Sequence, residues 1–372
     1  MLRSSSDVPA ELAPRESPLA GSGAAFALGG RIPSQKAQRM DTYSLAMAYI
    51  REDISVDGDL FAAIRSFRDR PGPPLRSIAI KAAAWLGRSG IGARLANRAR
   101  AARDIQFHYD RSNDFYRLFL DSRMQYSEGH FTGPDCSLEE AQEAKLDRIC
   151  RHLALRPGLR FLDIGCGWGG LLIHAAERFG VEATGCTLSR EQRRLASALA
   201  ERAGLGGHIE IREMDYRDLT GQYDRAASIG MFEHVGPKRM AAYFRKVYSL
   251  LAPDGLFLNR GIVRPERQSN NAETLFVQRH VFPGGGLTPL AAVVRHAELA
   301  GFEVVSLENL RHHYARTCRA WVANLSAHAG ECRRLVGAAA WRTWLLYLAA
   351  SAVNFEDGRI DCVEIVLRKK GG

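Results

Sequence analysis

Short apolar runs alternate with segments of helical periodicity along most of this chain. Consecutive apolar residues predict buried strands, and apolar residues that recur every three or four positions predict amphipathic helices. In chain order, these patterns predict helices over residues 141–155, 171–179, 190–203 and 238–251, and strands over 161–163, 181–187, 209–214, 225–229 and 256–258. Such alternation predicts an α/β fold whose mostly parallel sheet is covered by helices on both faces.

The two ends of the chain show different patterns. Residues 1–37 are rich in Ser, Ala, Gly and Pro without apolar periodicity, which predicts a disordered tail. Residues 38–104 predict a small helical N-terminal region, and residues 105–372 form the predicted main domain. After a helix over 341–355, the alternation over 362–368 predicts a final edge strand of the sheet.

A glycine-rich turn follows the strand that ends at Asp163. Gly165, Gly167, Gly169 and Gly170 separate this strand from the next helix. Glycines allow backbone conformations closed to other residues and let a ligand approach without an intervening side chain. The spacing Gly-x-Gly-x-Gly is tighter than the dinucleotide pattern, and the turn lacks the Gly-Lys-Ser/Thr of a phosphate-binding loop. The turn therefore favours S-adenosylmethionine over NAD or ATP, with tight packing alone as the alternative.

The composition adds an excess of positive charge. The 372 residues carry a formal net charge of +10, which predicts an anionic partner such as phospholipid or nucleic acid, or else a solvated basic surface. Residues 75–104 combine arginines with apolar residues and Trp85. This combination is typical of a helix at an anionic membrane surface, or of a helix packed on the main domain.

Signals for export, membrane insertion and metal binding are missing from the sequence. The apolar runs are too short to cross a bilayer, and the first residues lack the apolar core of a secretory signal. We therefore expect a cytoplasmic protein that associates peripherally with the inner face of the membrane. Seven cysteines without a Cys-x-x-Cys pair predict reduced thiols and no metal site.

Several short motifs occur together from residue 108 onwards. They are His108-Tyr109-Asp110, Asn113-Asp114-Phe115-Tyr116, Met124-Gln125-Tyr126-Ser127, the glycine turn, Gly230-Met231-Phe232-Glu233-His234-Val235-Gly236, Phe282-Pro283-Gly284-Gly285 and His313-Tyr314-Ala315-Arg316-Thr317. In this order they resemble the cyclopropane-fatty-acyl-phospholipid synthases. The resemblance implies a class I methyltransferase with a Rossmann-like fold, which uses S-adenosylmethionine to add a carbon to the double bond of an unsaturated phospholipid acyl chain. Residues near 263–290 interrupt the strand pattern and predict an insertion that helps to form an acyl tunnel. The helix over 341–355 is expected to line the same tunnel, with plain core packing of its aromatic residues as the alternative.

The resemblance assigns a set of residues to the cofactor. Asp163, Gly165 and Gly167 are expected beside its methionine part, with Tyr126 and Ser127 closing over it. The other expected contacts are Thr187 and Gln192 for the ribose, Asp215 and Tyr216 for the adenine, and Leu188 and Ile229. For Asp215, a capping role within its loop is the alternative.

The resemblance also implies a cage for a bicarbonate ion that accepts a proton. Glu233, Ile262 and Tyr314 match the family, but Glu128 replaces its cysteine and Arg260 replaces its histidine. Two carboxylates around a third anion would repel strongly in a low-dielectric pocket, so bicarbonate is doubtful. Our hypothesis is that Arg260 holds Glu128 ionised and that Glu128 accepts the proton, alone or with Glu233. An exposed Glu128 paired with Arg260 at the surface is the alternative.

The reaction product and the class of protein remain open at this point. A cyclopropane ring is the expected product, and a methylene or methyl branch differs only in where the base lies. A soluble small-molecule methyltransferase would share the cofactor half. A nucleic-acid-binding protein would leave Glu233 and Tyr314 without a purpose, so no nucleic acid partner is expected. A homodimer is left open.

Overall fold

The computed structural model describes residues 26–68, 113–267, 272–282 and 286–371. The first of these ranges, the N-terminal module, contains β1 (Phe26–Gly29), α1 (Ser34–Ala37), α2 (Thr42–Ile50), β2 (Ser55–Gly58) and α3 (Leu60–Phe67). β1 and β2 pair in an antiparallel sheet. The predicted disorder is wrong over residues 26–37, because apolar side chains anchor them: the ring of Phe26 packs 5.5 Å from that of Phe67.

The main domain confirms the predicted alternation of strands and helices, with boundaries that shift by a few residues. Its first part contains α4 (Asn113–Arg117), α5 (Leu138–His152), β3 (Arg160–Ile164), α6 (Gly170–Phe179), β4 (Glu182–Thr187), α7 (Arg190–Arg202), β5 (Ile209–Glu213), β6 (Tyr223–Ile229), α8 (Phe232–Val235), α9 (Met240–Leu250) and β7 (Leu251–Arg264). Helix α5 begins earlier than predicted because Ser137 and Glu140 form a capping box at its N-terminus.

The second part completes the sheet and adds a helical layer. It contains α10 (Ala272–His280), β8 (Thr288–Pro289), α11 (Leu290–Leu299), β9 (Phe302–Asn309), α12 (Arg311–Ala327), α13 (Ala329–Val336), α14 (Ala338–Glu356) and β10 (Asp361–Lys369). The predicted insertion near 263–290 thus holds the end of β7, α10 and β8. Among the described residues, no helix has both the length and the apolarity needed to cross a membrane.

Within the described ranges, the main sheet has the order β5-β4-β3-β6-β7-β10-β9, and β8 pairs with β7. Strands β3 to β7 are parallel, whereas β10 is antiparallel to both of its neighbours. The prediction of an edge strand over 362–368 is wrong, because β9 lies outside β10. Residues 362–367 are all buried, as expected for a strand inside a covered sheet.

The topology places a crevice at the carboxyl end of β3. The chain runs from β3 outwards through β4 to β5 and then returns to β6 on the other side of β3. Ligands of open α/β sheets bind at such a switch point. The basic stretch 75–104 and the motifs at 108–110 and 283–285 lie outside the described residues.

Candidate active site

The glycine turn follows directly after β3. Gly165 and Gly167 have φ values of +83° and +54°, which favour glycine. The N–H groups of Gly165 and Cys166 both donate to the carbonyl oxygen of Cys186 at 3.0 Å, which ties the turn to β4. A Cβ on Gly165 would lie 3.0 Å from Met231, whereas a Cβ on Gly167 would meet nothing within 4 Å. Gly167 therefore leaves open space beside the turn.

A cavity of about 170 Å³, the cofactor cavity, opens at this turn. Every residue that the sequence assigned to the cofactor lines it: Tyr126, Ser127, Asp163, Gly165, Gly167, Thr187, Leu188, Gln192, Asp215, Tyr216 and Ile229. Sequence reasoning missed other lining residues, among them Gln125, Lys145, Trp168, His234 and Arg239. The fold thus brings the predicted cofactor-binding residues together around one cavity. The contacts of these residues with the cofactor stay a prediction.

Asp163 and Lys145 are buried ionisable groups in the wall of the cofactor cavity. Burial raises the pKa of Asp163 to about 7 and lowers the pKa of Lys145 to about 8. The Lys145 Nζ donates to Gln125 Oε1 at 2.8 Å and to Ser127 Oγ at 3.0 Å. Lys145 therefore positions the segment predicted to close over the cofactor. This role is not visible in the sequence, because lysines within amphipathic helices are ordinarily exposed.

Polar residues at the ends of β4 and β5 have partners within the protein. The Thr187 Oγ1 donates to Gln192 Oε1 at 2.8 Å, and both side chains are buried. Asp215 accepts hydrogen bonds from the N–H of Arg217 at 2.9 Å and from its Nε at 2.8 Å. The capping role considered for Asp215 is therefore observed, while its place in the cavity wall leaves the adenine contact as a prediction.

Tyr126 joins the cofactor cavity to a cluster of aromatic side chains. Its ring centroid lies 5.2 Å from that of Trp321. Tyr314 packs against the same cluster, and so does the aliphatic side chain of Ile262. The ring of Tyr314 stacks on that of Phe355, with the ring centroids 4.4 Å apart. Burial raises the pKa of Tyr314 well above its ordinary value, so its phenol stays neutral. Aromatic faces of this kind stabilise a nearby cation.

Arg260 lies between two carboxylates in the protein interior. Its Nη1 donates to Glu128 Oε1 at 3.0 Å, and its Nε donates to Glu364 Oε2 at 2.8 Å. The three side chains are 1–2% exposed, so the surface alternative for the predicted pair of Glu128 and Arg260 is wrong. Sequence reasoning missed Glu364, although a charged residue within the apolar run of 362–367 was a signal.

Two further groups fix the ends of this buried cluster. His152 Nδ1 lies 2.6 Å from Glu364 Oε1. Burial alone would raise the pKa of Glu364, but Arg260 and His152 lower it to about 2. At the other end, burial and the nearby Glu128 raise the pKa of the Cys362 thiol well above its ordinary value. Cys362 of β10 is thus electrostatically coupled to the glutamate that replaces the expected cysteine.

Glu233 lies on α8, just beyond the end of β6, and its carboxylate contacts β7. The last register pair of these strands joins Ile229 to Arg260, and the N–H of Ile262 then donates to Glu233 Oε1 at 2.7 Å. Burial raises the pKa of Glu233 to about 7. Its Oε2 is buried and has no hydrogen-bond partner among the described residues. The carboxyl group is therefore half-satisfied, and its pKa suits proton exchange near neutral pH.

Comparison with known proteins shows a match over most of the chain. The family described as mycolic acid cyclopropane synthetase matches residues 96–365. A "Probable fatty acid methyltransferase" of Pseudomonas putida is 40% identical over 273 residues, which cover 72% of this chain and 69% of that protein. The N-terminal module precedes the family match.

Two solved structures share the fold of the main domain. The cyclopropane synthase MmaA2 from Mycobacterium tuberculosis has a TM-score of 0.71 and 32% identity, covering 74% of this chain and 100% of that one. The mycolic acid cyclopropane synthase CmaA1, complexed with SAH and CTAB, has a TM-score of 0.69 and 33% identity, covering 72% of this chain and 98% of that one.

Proposed function

The chain belongs to the mycolic acid cyclopropane synthetase family, and from this premise we propose that it methylates the double bond of an unsaturated acyl chain in a membrane phospholipid. It is an S-adenosylmethionine-dependent methyltransferase with the class I fold. A relative named as a fatty acid methyltransferase and neighbours named as cyclopropane synthases support methyl transfer to lipid acyl chains. We further propose that the acyl chain belongs to a phospholipid and that the product is a cyclopropane ring.

The cofactor cavity fits S-adenosylmethionine. Its glycine turn leaves open space at Gly167, and Asp163 supplies a buried carboxyl group that suits the cationic methionine part. Thr187, Gln192 and Asp215 offer side-chain oxygens for hydroxyl and amino groups. When bound, S-adenosylmethionine supplies an electrophilic methyl group.

The protein must then stabilise a cation and remove a proton. An alkene carbon forms a bond to the methyl carbon as the bond from that carbon to sulfur breaks, which leaves positive charge on the other alkene carbon. The neutral rings around Tyr126, including Tyr314 and Trp321, provide π faces for this charge. Loss of a proton from the new methyl group then closes a cyclopropane ring.

The single observation that carries this mechanism is the state of Glu233. It is buried next to His234, a residue of the cavity wall, and its Oε2 has no hydrogen-bond partner among the described residues. We propose that this oxygen accepts the proton lost from the new methyl group. All three nitrogens of the Arg260 guanidinium already contact Glu128 or Glu364, which supports a reaction without bicarbonate. Glu128 then assists Glu233, because it contributes to the raised pKa that makes the Glu233 carboxylate a better proton acceptor.

The same cation can lead to a different product. If the proton leaves a neighbouring chain carbon, a methylene branch forms, and a methyl branch requires a later reduction. The distance from the base to the new methyl group decides between these outcomes. The Glu233 carboxylate is fixed by the N–H of Ile262, which favours a single product.

Mass spectrometry of membrane lipids from cells with and without this chain tests the proposal. We expect unsaturated phospholipid chains to gain one CH₂ unit, and fragmentation to identify a ring. Purified enzyme should keep its turnover in bicarbonate-depleted buffer and lose it in Glu233→Gln. Strong dependence on bicarbonate would overturn the assigned acceptor, and unchanged lipids would favour the small-molecule methyltransferase.

Association with an anionic membrane surface is part of the same proposal. The net charge of +10 supports it. Flotation with vesicles should show binding that increases with the anionic lipid fraction and decreases with salt. Binding to oligonucleotides but not to vesicles would contradict it.

A further inference from the structure

A second cavity, of about 110 Å³, lies between the N-terminal module and the main domain. Leu45, Ala63 and Phe67 line it from the module, and Phe276 of α10 and Leu346 of α14 line it from the main domain. Both α10 and α14 belong to segments for which the sequence predicted a role in acyl binding. We call this space the module cavity.

Two polar side chains in the wall of the module cavity, Thr42 and Arg68, have partners within the protein. The Thr42 hydroxyl donates to the carbonyl oxygen of Phe67 at 3.1 Å. The charged residue in this wall, Arg68, forms an ion pair with Asp357. The wall therefore matches an apolar ligand better than a charged one.

The module is fixed to the main domain around this cavity. The Tyr43 hydroxyl lies 3.1 Å from His280 Nε2 of α10, and Arg342 of α14 donates to the carbonyl oxygen of Tyr49 at 2.9 Å. Glu356 at the end of α14 forms ion pairs with Arg65 of the module and with Arg319. The cavity is thus a built feature of the whole chain, and most of its wall precedes the family match.

Aromatic rings connect the module cavity to the cofactor cavity. Tyr347 lines the module cavity, and its ring lies 5.8 Å from that of Phe282. The Phe282 ring lies 5.5 Å from His234, which lines the cofactor cavity. Burial lowers the pKa of His234 to about 4, so this partition is neutral. A row of neutral aromatic rings therefore separates the two cavities, and an acyl chain that occupied both would pack against these rings.

We propose that the module cavity binds the part of the substrate acyl chain remote from its double bond, so that the N-terminal module selects the length of the chain. This inference rests on the proposed function. A linear hydrocarbon fits because it needs apolar contact along its length and no hydrogen bonds. The occupant is therefore the acyl chain of the lipid that is methylated at the cofactor cavity.

To test the inference, larger side chains are introduced into the module cavity, and acyl-chain binding is measured separately from methyl transfer. Ala350→Phe places a ring in the cavity wall on α14, and Ala339→Phe places the same ring on an exposed position of that helix. Fluorescence of cis-parinaric acid reports acyl binding, and calorimetry reports S-adenosylmethionine binding. Phospholipid vesicles with shorter or longer monounsaturated chains report selectivity. Ala46→Leu is a milder second change in case Ala350→Phe does not fold.

We expect Ala350→Phe to weaken parinaric acid binding by about tenfold or more, and turnover to fall most for the longer chains through a higher KM. Ala46→Leu should act in the same direction, and Ala339→Phe should match the wild type. Cofactor affinity should stay unchanged in all three. Folded cavity variants that bind parinaric acid normally and keep their chain preference would overturn the inference. If parinaric acid binding responds as expected and no lipid is methylated, the proposed function fails and the apolar site stands.

Discussion

Arg260 and Glu364 lie directly opposite each other on the antiparallel strands β7 and β10, and their side chains are hydrogen-bonded in the protein interior. The remaining arm of the same guanidinium holds Glu128. One guanidinium thus donates hydrogen bonds to two buried carboxylates. Its removal leaves both without their partner, which costs more than the loss of the pair itself.

We predict that Arg260→Met lowers the free energy of unfolding by about 3–5 kcal/mol. Urea denaturation measures the change. Arg212→Met is the matched control, because Arg212 forms a partly exposed ion pair with Glu210 and its loss should cost about 1 kcal/mol or less. Equal stability losses in the two variants would contradict the buried role of Arg260.

The raised pKa of Glu233 predicts the pH dependence of the reaction. A carboxyl group with a pKa of about 7 accepts a proton only when ionised, so kcat/KM should rise with pH up to about 7 and then level off. Glu233→Gln should lower kcat by about a hundredfold or more. Glu213→Gln, a change of an exposed carboxylate, should leave the profile unchanged. If the Glu233→Gln enzyme is active and has the wild-type pH profile, Glu128 and not Glu233 accepts the proton.

The glycine turn offers a matched pair of substitutions. Gly167 and Gly158 both have positive φ, and a Cβ on either meets nothing within 4 Å. Gly167→Ala and Gly158→Ala should each cost about 1–2 kcal/mol through backbone strain. Only Gly167→Ala should also weaken cofactor binding, because Gly167 lines the cofactor cavity. Calorimetric titration with S-adenosylmethionine separates the two effects, and equal affinities would contradict the role of Gly167.

The sequence predicted the residues that line the cofactor cavity and the pairing of Arg260 with Glu128, but not the roles of Glu364 and Lys145. The glycine turn and the ends of β3, β4 and β5 are local signals, and the parallel topology brings them together without further information. The contact between Arg260 and Glu364 spans 104 positions and depends on the antiparallel register of β10 against β7. Local patterns do not reveal this register, so Glu364 had no visible partner. Because β9 was not predicted, β10 was placed at the edge. Phe26 likewise shows no periodic pattern, and only tertiary packing reveals its strand.

The ion pairs of Glu356 help to hold the N-terminal module on the main domain. Glu356 pairs with Arg65 of the module and with Arg319 of α12. Glu356→Arg should replace attraction by repulsion and make the module more susceptible to proteolysis, most clearly at low salt because ions screen the interaction. Glu331→Arg, beside Arg334 on α13, is the control for the charge change. Equal proteolysis rates in both variants would contradict the role of Glu356.

The raised pKa of Asp163 predicts that cofactor binding releases a proton. Its pKa of about 7 means that the carboxyl group is largely neutral at about pH 6, and a cationic ligand favours its ionised form. Affinity for S-adenosylmethionine should therefore rise with pH up to about 7 and then level off. Calorimetry in two buffers of different ionisation enthalpy measures the released proton. Asp163→Asn should bind more weakly and without this dependence, whereas Asp215→Asn should keep it. Equal wild-type affinity at about pH 6 and pH 8 would show that Asp163 does not face the cationic part of the cofactor.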